Sequence, residues 1–429
     1  MKRRQFFAST TLGALGMLLV PTGSTQAQDG KKKSKNKYDH SALPKFRIRT
    51  LTSGPRHHFF GYYGTSPWSL SEKQMVCMES SFQDRLPEAG ETARIGLVDP
   101  VSGIFNPLAE TQAWNLQQGA MIHWNPLLPN KEIIYNDTVE GQIASLRLNV
   151  NRGEKNILSR AVSAVSKKGK YALSLTYGRL SRNRKVVGYA NAVDPYANEA
   201  HPAKDGVFLL DLENNSSKLI VSIAEVFEKS VHDYPDLANR HIWFNHTDIN
   251  PSGTRFLFLA RSRNEQGKID SAMFTANMKG SDLRMVIPFG SGVSHFGWRN
   301  DNEIVATLIQ AGEKVYRHVL FSDGQKNFSV IGKDFIIDNG HCTFSPNGRW
   351  MATDRTQDES KSTSLWLWDM KLDQGMILAN MPVNEYKYLH SNTRCDFHPR
   401  WNPSGNKICF DAIDTAAHTR QMHLVEFLA

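Results

Sequence analysis

The sequence predicts an all-β protein folded as a seven-bladed β-propeller. A turn motif rich in Pro, Gly, Asn and Ser recurs along the chain, and an alternating apolar segment follows each occurrence. The occurrences begin at Ser66, Trp124, Val165, Asn250, Trp298, Ser345 and Asn402. Because each unit has room for about four strands, the repeat is typical of a propeller blade.

The second half of each repeat supports the same prediction. An apolar strand ends at an acidic residue and a turn, as in Ile95-Gly-Leu-Val-Asp, Val207-Phe-Leu-Leu-Asp and Leu365-Trp-Leu-Trp-Asp. The best helix candidate is Ser222–Ser230. It lies in an expanded region, residues 177–239, between the third and fourth units.

The ring is predicted to close through the N-terminal strand. The last unit ends at Ala429, where a fourth strand should follow, and Phe46-Arg-Ile-Arg-Thr-Leu-Thr is a strand without a blade. Pairing these two segments removes an open sheet edge, so we expect the early strand to complete the last blade.

The N-terminus predicts export. Arg3 and Arg4 precede an apolar run over residues 12–20, which is too short to span a bilayer. We therefore predict a twin-arginine signal peptide over 1–27, a flexible basic linker over 28–44 and the propeller over 45–429. The mature protein is expected in the periplasm or outside the cell, with no membrane span.

The charge balance predicts a polyanionic partner. The formal net charge of the 429 residues is +9, and outside the cytoplasm the expected polyanion is an acidic polysaccharide rather than nucleic acid. Four cysteines are too few for a disulfide scaffold. Cys77 and Cys409 are expected to be buried, whereas Cys342 and Cys395 stand beside histidines and could join a metal site.

Four histidines occupy one position of the repeat. His246, His295, His341 and His398 each precede an apolar residue by three positions and lead into the turn. The first strand of a blade lines the central channel, so equivalent residues should converge on the axis. Three imidazoles from neighbouring blades, His295, His341 and His398, match a Zn²⁺ or Mn²⁺ site with an open coordination position. Nothing in these residues names the metal, so the prediction is a divalent cation, with Zn²⁺ placed before Mn²⁺ or Ca²⁺. In the alternative interpretation, each histidine bonds to backbone between blades.

Other residues near the channel are candidates for proton transfer and substrate binding. His246 or His123 could act as a general base, and Tyr189 could exchange a proton at a sugar oxygen or simply pack in the interior. The run beginning His57-His58-Phe-Phe-Gly-Tyr-Tyr could stack on sugar rings or form a plug of core residues. Arg394 stands in the charged cluster around His398. No nucleophile elbow, phosphate loop or dinucleotide fingerprint is present.

Several longer motifs resemble the propeller-type polysaccharide lyases. They are the run from His57 to Tyr63, Ser66-Pro-Trp, Gln117-Gln-Gly-Ala-Met-Ile-His-Trp, Tyr135-Asn-Asp, Ser294-His-Phe-Gly-Trp, Gly340-His-Cys-Thr-Phe-Ser-Pro-Asn-Gly-Arg-Trp and Arg394-Cys-Asp-Phe-His-Pro-Arg-Trp. The resemblance covers nearly the whole mature chain. It is closest to the seven-bladed ulvan lyases and more distant to the oligogalacturonate lyases.

The resemblance implies β-elimination at a uronic acid, which leaves a 4,5-unsaturated end. Similarity to ulvan lyases implies His123 and Tyr189 as base and acid, a structural zinc, and Lys204 at the position of the carboxylate-neutralising arginine, with Arg179 or Arg240 as substitutes. Similarity to oligogalacturonate lyases implies a catalytic metal on the channel histidines and His246 as the base.

The sequence therefore predicts a lyase for a uronate-containing anionic polysaccharide, with ulvan as the expected substrate. Its substrate-binding residues are predicted to be His58, Lys204, Arg240 and Arg394. The alternatives are an oligogalacturonate lyase with a catalytic metal and a noncatalytic glycan-binding propeller. The oligomeric state is not predicted.

Overall fold

The computed structural model describes residues 43–357, 360–383, 385 and 387–428. The predicted signal peptide, residues 1–27, and all but the last two residues of the predicted linker, 28–44, lie outside this part of the chain. No described helix is long and apolar enough to cross a membrane.

Seven four-stranded antiparallel sheets form the described fold, which confirms the predicted seven-bladed propeller. The strands of blades 1 to 3, from the axis outwards, are β2 (His57–Phe59), β3 (Met75–Ser80), β4 (Ala93–Val98) and β5 (Phe105–Thr111); β6 (His123–Trp124), β7 (Glu132–Val139), β8 (Gln142–Asn149) and β9 (Lys155–Ile157); β10 (Ala164–Val165), β11 (Tyr171–Ser174), β12 (Gly206–Asp211) and β13 (Ser216–Ser222).

Blades 4 to 6 follow the same order. Their strands are β14 (Trp243–Ile249), β15 (Arg255–Arg263), β16 (Ile269–Asn277) and β17 (Arg284–Ile287); β18 (Phe296–Trp298), β19 (Glu303–Ile309), β20 (Tyr316–Ser322) and β21 (Phe328–Ile331); β22 (Thr343–Phe344), β23 (Trp350–Gln357), β24 (Ser362–Asp369) and β25 (Gln374–Pro382).

Blade 7 joins the two ends of the described chain. It contains β26 (Arg400–Trp401), β27 (Lys407–Asp414), β28 (Thr419–Phe427) and β1 (Phe46–Thr50). β1 pairs with β28 from Phe46 opposite Phe427 to Thr50 opposite His423. The N-terminal strand therefore supplies the outer strand of the last blade, as the sequence predicted.

Apolar contacts between neighbouring sheets hold the ring together. Leu173 and Val207 of blade 3 belong to the same buried cluster as Phe256 and Phe274 of blade 4, and none of the four has exposed surface. Both faces of a blade are covered by its neighbours. Because both faces are covered, a strand such as β3 is buried along its whole length and does not alternate between buried and exposed residues.

The expanded region contains most of the helical residues described. Helix α1 (Tyr177–Asn183) and a 3₁₀ turn (Lys185–Val187) lie between β11 and β12. Helix α2 (Ile223–Ser230) and a second 3₁₀ turn (Pro235–Asn239) link blades 3 and 4, and α3 (Lys387–His390) precedes blade 7. The Ser222 side chain caps α2 and Glu225 reciprocates, which explains the start of the predicted helix.

Candidate functional site

The four repeat histidines meet near the axis of the propeller. The His295 and His341 rings lie 3.8 Å apart between centroids, and the His341 and His398 rings lie 4.1 Å apart. His246 lines the same cavity as these three. The structure thus brings together all four residues that the repeat pattern singled out.

The position they share can be identified in every blade as the residue four places before the first polar residue of the turn. Blades 1 to 3 have other residues there: Tyr62, Met121 and Val162. The Tyr62 ring stacks on that of His246 at 5.5 Å with an interplanar angle of 4°. The imidazoles therefore occupy one side of the ring of equivalent positions, and a tyrosine borders them.

The backbone at this position is unusual in several blades. Met121, His246 and His398 have φ angles of 49°, 53° and 48°, in the left-handed region that residues with a Cβ rarely adopt. At His246 this coincides with a register shift between Asn245 and Thr247 in the pairing of β14 with β15. Such a bulge re-aims a side chain, and the blade retains its pairing on either side.

Two adjacent tyrosines separate two cavities on the axis. Tyr62 and Tyr63 are 4% and 3% exposed and line both of them. Tyr63 lies 5.0 Å from His341 and 5.8 Å from His398 between ring centroids. The aromatic run that follows His57 thus forms a plug, one of the two roles predicted for it.

The smaller of these, the histidine cavity, has a volume of about 40 Å³. This is room for about three water molecules. It is lined by the four histidines, the two tyrosines, Gln117, Gln118, Arg184, Val187, Arg261, Ser294 and Arg394. The larger one, the tryptophan cavity, has a volume of about 430 Å³, and Trp68, Trp124, Trp298 and Trp401 are among the residues that line it.

A buried carboxylate orients two of the histidines. Both Asp354 carboxylate oxygens lie 3.0 Å from His341 Nδ1. The backbone N–H groups of His341 and His398 donate to the same carboxylate at 2.7 and 3.0 Å. Burial alone would raise the pKa of Asp354, but the interaction with the His341 ring and these hydrogen bonds lower it. A carboxylate on Nδ1 leaves Nε2 of His341 available as a ligand.

The other two histidines have different partners. His295 Nδ1 lies 3.0 Å from the backbone oxygen of Asn339, so the predicted alternative of backbone bonding between blades applies to this ring. The Gln118 side-chain amide lies 2.8 Å from His246 Nδ1. Rotation of the Gln118 amide by about 180° exchanges its N–H donor and its oxygen acceptor, so the contact is compatible with either tautomer of His246.

Burial keeps three of the four imidazoles neutral. It is the main cause that lowers the pKa of His246, His295 and His398 well below 6.5, and neighbouring cationic groups add to it. His398 Nδ1 is buried without a hydrogen-bond partner among the described residues. Neutral imidazole is the form that binds a metal, so the donor set fits a divalent cation.

A compact set of ligand atoms combines two of these histidines with Asp396 and leaves out His295, the third predicted ligand. Atoms of His341, Asp396 and His398 lie within 4.8 Å of one another, and all three residues are buried. Two imidazoles and a carboxylate suit Mn²⁺ or Zn²⁺. This set contains neither Cys342, which lines the tryptophan cavity, nor Cys395, which is buried beside Tyr388 and Leu389. All four cysteines are free and buried.

Three arginines give the histidine cavity its positive charge. Arg394 Nε donates to Asp396 at 2.8 Å. Arg261 is 5% exposed, and its Nε, like that of Arg184, is buried without a partner among the described residues. Burial, followed by cationic neighbours, lowers the pKa of Arg261 to about 9 and that of Arg184 to about 10. Cations held so close together with little compensation attract an anion.

Two predicted catalytic residues lie away from this cluster. His123 lines the tryptophan cavity, and burial lowers its pKa to about 3. Tyr189 lines neither cavity: it has no exposed surface, its ring stacks on Tyr177 at 4.5 Å, and its hydroxyl accepts from Asn136 at 2.9 Å. Burial raises the pKa of Tyr189 well above 10.

The four predicted substrate-binding residues do not lie together in the structure. Of the four, only Arg394 lines the histidine cavity. His58 Nε2 lies 3.2 Å from Glu79 inside blade 1, and Arg240 pairs with Asp236 and Asp270. Lys204 is exposed and lines neither cavity.

The site includes residues that the sequence interpretation missed. Arg261 follows an apolar run in β15, and this signal could have revealed it because unpaired charges are rarely buried. Asp354 lies between a threonine and an arginine and is not in an apolar run. Gln118 and Arg184 carry no such signal. They reach the cavity from loops whose paths the sequence does not specify.

Comparison with known proteins shows a likeness of fold. No protein-family model and no curated protein matches the chain. An oligogalacturonate lyase from Vibrio parahaemolyticus superposes with a TM-score of 0.62 and 11% identity, over 89% of this chain and 93% of that one. An oligogalacturonate lyase in complex with manganese gives 0.62 and 13%, over 90% and 94%. These matches show a fold shared with oligogalacturonate lyases, and they do not point to ulvan lyases.

Proposed function

We propose that the chain is a metal-dependent lyase that cleaves an oligogalacturonate by β-elimination, with the histidine cavity as its active centre. The observation that carries the proposal is the convergence of four histidines and three arginines, from separate elements, on one small enclosed space. The likeness of fold to an oligogalacturonate lyase that binds manganese supports this substrate over ulvan.

The size of the cavity limits how a substrate can approach. A volume of about 40 Å³ holds a few water-sized groups but not a sugar ring. A uronate would place its carboxylate in the cavity while its ring stays outside. Arg184 and Arg261, whose Nε atoms have no partner in the described structure, are suited to bind that carboxylate.

His341, Asp396 and His398 would hold a divalent metal, with His295 beside them. Such a metal would supply positive charge to the carboxylate and so make the adjacent C5 proton more acidic. We propose Mn²⁺ as this metal, by analogy with the manganese complex. Zn²⁺, the first expectation from the sequence, suits the same donors.

His246 is the proposed base. It is neutral, and the Gln118 amide oxygen on Nδ1–H would leave Nε2 as the proton acceptor. His246 takes the C5 proton and the C–H electrons form the C4–C5 double bond. The C4–O bond breaks, and the departing oxygen takes up a proton from solvent. The arginines stabilise the carboxylate as its negative charge grows in the transition state.

The reaction can be tested by incubating the Mn²⁺-loaded protein with oligogalacturonates, ulvan and other uronate polymers and following the ultraviolet absorbance of the unsaturated product. We expect a rise with oligogalacturonates, its loss in His246→Ala, and full activity in His232→Ala, because His232 is 95% exposed. A rise only with ulvan would overturn the proposed substrate. Binding of uronates without any absorbance change would instead support the glycan-binding alternative.

A further inference from the structure

The tryptophan cavity lies on the other side of the tyrosine plug from the histidine cluster. The reaction proposed above uses none of the residues found only in this larger space, whose volume of about 430 Å³ is within the usual range of ligand pockets. Tyr63 helps to hold the plug in place, since its hydroxyl accepts from the Phe296 N–H at 3.1 Å. A ligand in one cavity would therefore not reach the other.

Aromatic side chains from several blades surround this space. Trp124, Trp298, Phe344 and Trp401 occupy the same position of the repeat, three residues after the one that carries the histidines. Trp68 adds another ring from blade 1. The repeat that gathers imidazoles at one end of the channel thus gathers flat apolar surfaces at the other.

Polar groups without partners lie among these rings. Trp68 is 3% exposed, Trp401 is 7% exposed and His123 is 8% exposed. The indole nitrogens of Trp68 and Trp401 and Nε2 of His123 have no hydrogen-bond partner in the described part of the chain. Since buried polar groups are normally paired, a ligand hydroxyl or an ordered water would have to reach these atoms through a small shift of the side chains around them.

The lining has little net charge. Arg400 is fully buried, and its charge is compensated because it donates to the Asp411 carboxylate. It also donates to the backbone oxygens of Gly61 and Tyr62. Of the remaining charged groups, Lys167 is positive, whereas burial raises the pKa of Asp248 to about 7. The histidine cavity, in contrast, is lined by three arginines. The tryptophan cavity thus offers no strong attraction to an anion.

From this lining we infer that the tryptophan cavity is a second binding site, which takes an uncharged saccharide unit. A pyranose ring has C–H faces that pack on aromatic rings and hydroxyls that bond to indole N–H, imidazole and carboxyl groups. The site is independent of the proposed lyase reaction, because it lies beyond the plug and involves none of the proposed catalytic residues.

The test is a titration of the full chain with lactose, cellobiose and maltose. Binding is followed by tryptophan fluorescence and by saturation-transfer NMR, at low and high salt. We expect saturable binding of at least one sugar and little change with salt. Absence of saturable binding for all three sugars would overturn the inference whatever the lyase assay shows, as would binding that high salt abolishes.

Two matched variants test whether the sugar binds in the tryptophan cavity. Phe344 is half-buried at the cavity, whereas Phe328 is 46% exposed on the outer strand of blade 5. Phe344→Ser should weaken binding about tenfold, as expected for loss of a stacking ring, and Phe328→Ser should leave it unchanged. If Phe344→Ser does not fold, Phe344→Leu retains apolar volume without the ring and should still weaken binding. Equal affinity in the Phe344 and Phe328 variants would contradict the site.

Discussion

Asp354 orients two histidines of the proposed metal centre. It is 5% exposed, and its carboxylate accepts hydrogen bonds from the backbone of two blades and meets the His341 ring. A single side chain thus fixes the tautomer of one proposed ligand and the backbone position of another. Partners of this kind commonly influence metal affinity nearly as much as the ligands themselves.

Asp354→Asn should therefore weaken binding of Mn²⁺ by about 10–100-fold, because the amide cannot replace the charged acceptor at Nδ1. Isothermal titration with Mn²⁺ measures the change. Asp282→Asn is the control, since Asp282 pairs only with exposed or half-buried arginines at the edge of blade 4. Unchanged affinity in Asp354→Asn would exclude the carboxylate from the metal centre.

Arg261→Gln should lower kcat as well as raise KM for an oligogalacturonate, with about a 10–100-fold loss of kcat/KM. A hydrogen bond between charged groups contributes about 1.5–3 kcal/mol, which corresponds to that loss. Arg263→Gln is a close control, because Arg263 is on the same strand but is exposed. Steady-state kinetics that are equal in the two variants would remove Arg261 from the site.

At the scale of elements, the tyrosine plug is held by an ionic cluster in blade 7. Asp411 pairs with Arg400 and Arg420, and all three are fully buried. Asp411 also accepts from the backbone of Gly61, and Arg400 donates to the backbone of Tyr62. The cluster therefore ties the segment that follows β2 to the sheet that closes the ring.

Removal of β1 should open that sheet. A chain beginning at residue 51 loses the pairing of β1 with β28 and exposes the edge of a long buried strand. We expect a lower Tm and aggregation, whereas a chain beginning at residue 43 should melt like the full chain. Differential scanning calorimetry compares the two, and equal Tm values would show that β1 is not needed for closure.

The elements that the sequence predicted best are those with local signals. The seven turns, the closing strand and α2 each have a distinct pattern, and the repeat also placed the four histidines in phase. Arg184 and Gln118 could not be predicted, because their positions depend on how α1 and the loop near Asn115 pack against other blades. His123 lies two residues after Met121, the blade 2 residue at the position of the histidines, and it lines the tryptophan cavity instead. Side chains two residues apart share a face only in a regular strand, and Met121 has a left-handed backbone.

For the whole molecule, buried histidines predict sensitivity to acid. Burial is the main cause that lowers the pKa of His57, His123 and His318 from 6.5 to about 4, 3 and 4. As the pH falls below about 6.5, the unfolded chain takes up protons on these residues but the folded chain does not, so the free energy of unfolding decreases. Each such histidine removes about 1.4 kcal/mol per pH unit until its folded pKa is reached.

Urea unfolding at about pH 7, 6 and 5 measures this slope. His123→Gln should reduce the slope by about one proton, and His232→Gln, at an exposed site, should leave it unchanged. A slope that does not respond to His123→Gln would show that this imidazole is not held neutral in the folded protein.

The central claim is that the axial histidines and arginines form one metal-dependent active centre. The most direct measurement is the ultraviolet absorbance of the wild-type protein acting on oligogalacturonates, before chelation, after chelation, and after Mn²⁺ is restored. We predict a rise that chelation abolishes and Mn²⁺ recovers, and that His341→Ala lacks under all three conditions. No rise from folded protein shown to carry Mn²⁺, on any uronate oligosaccharide, would contradict the account.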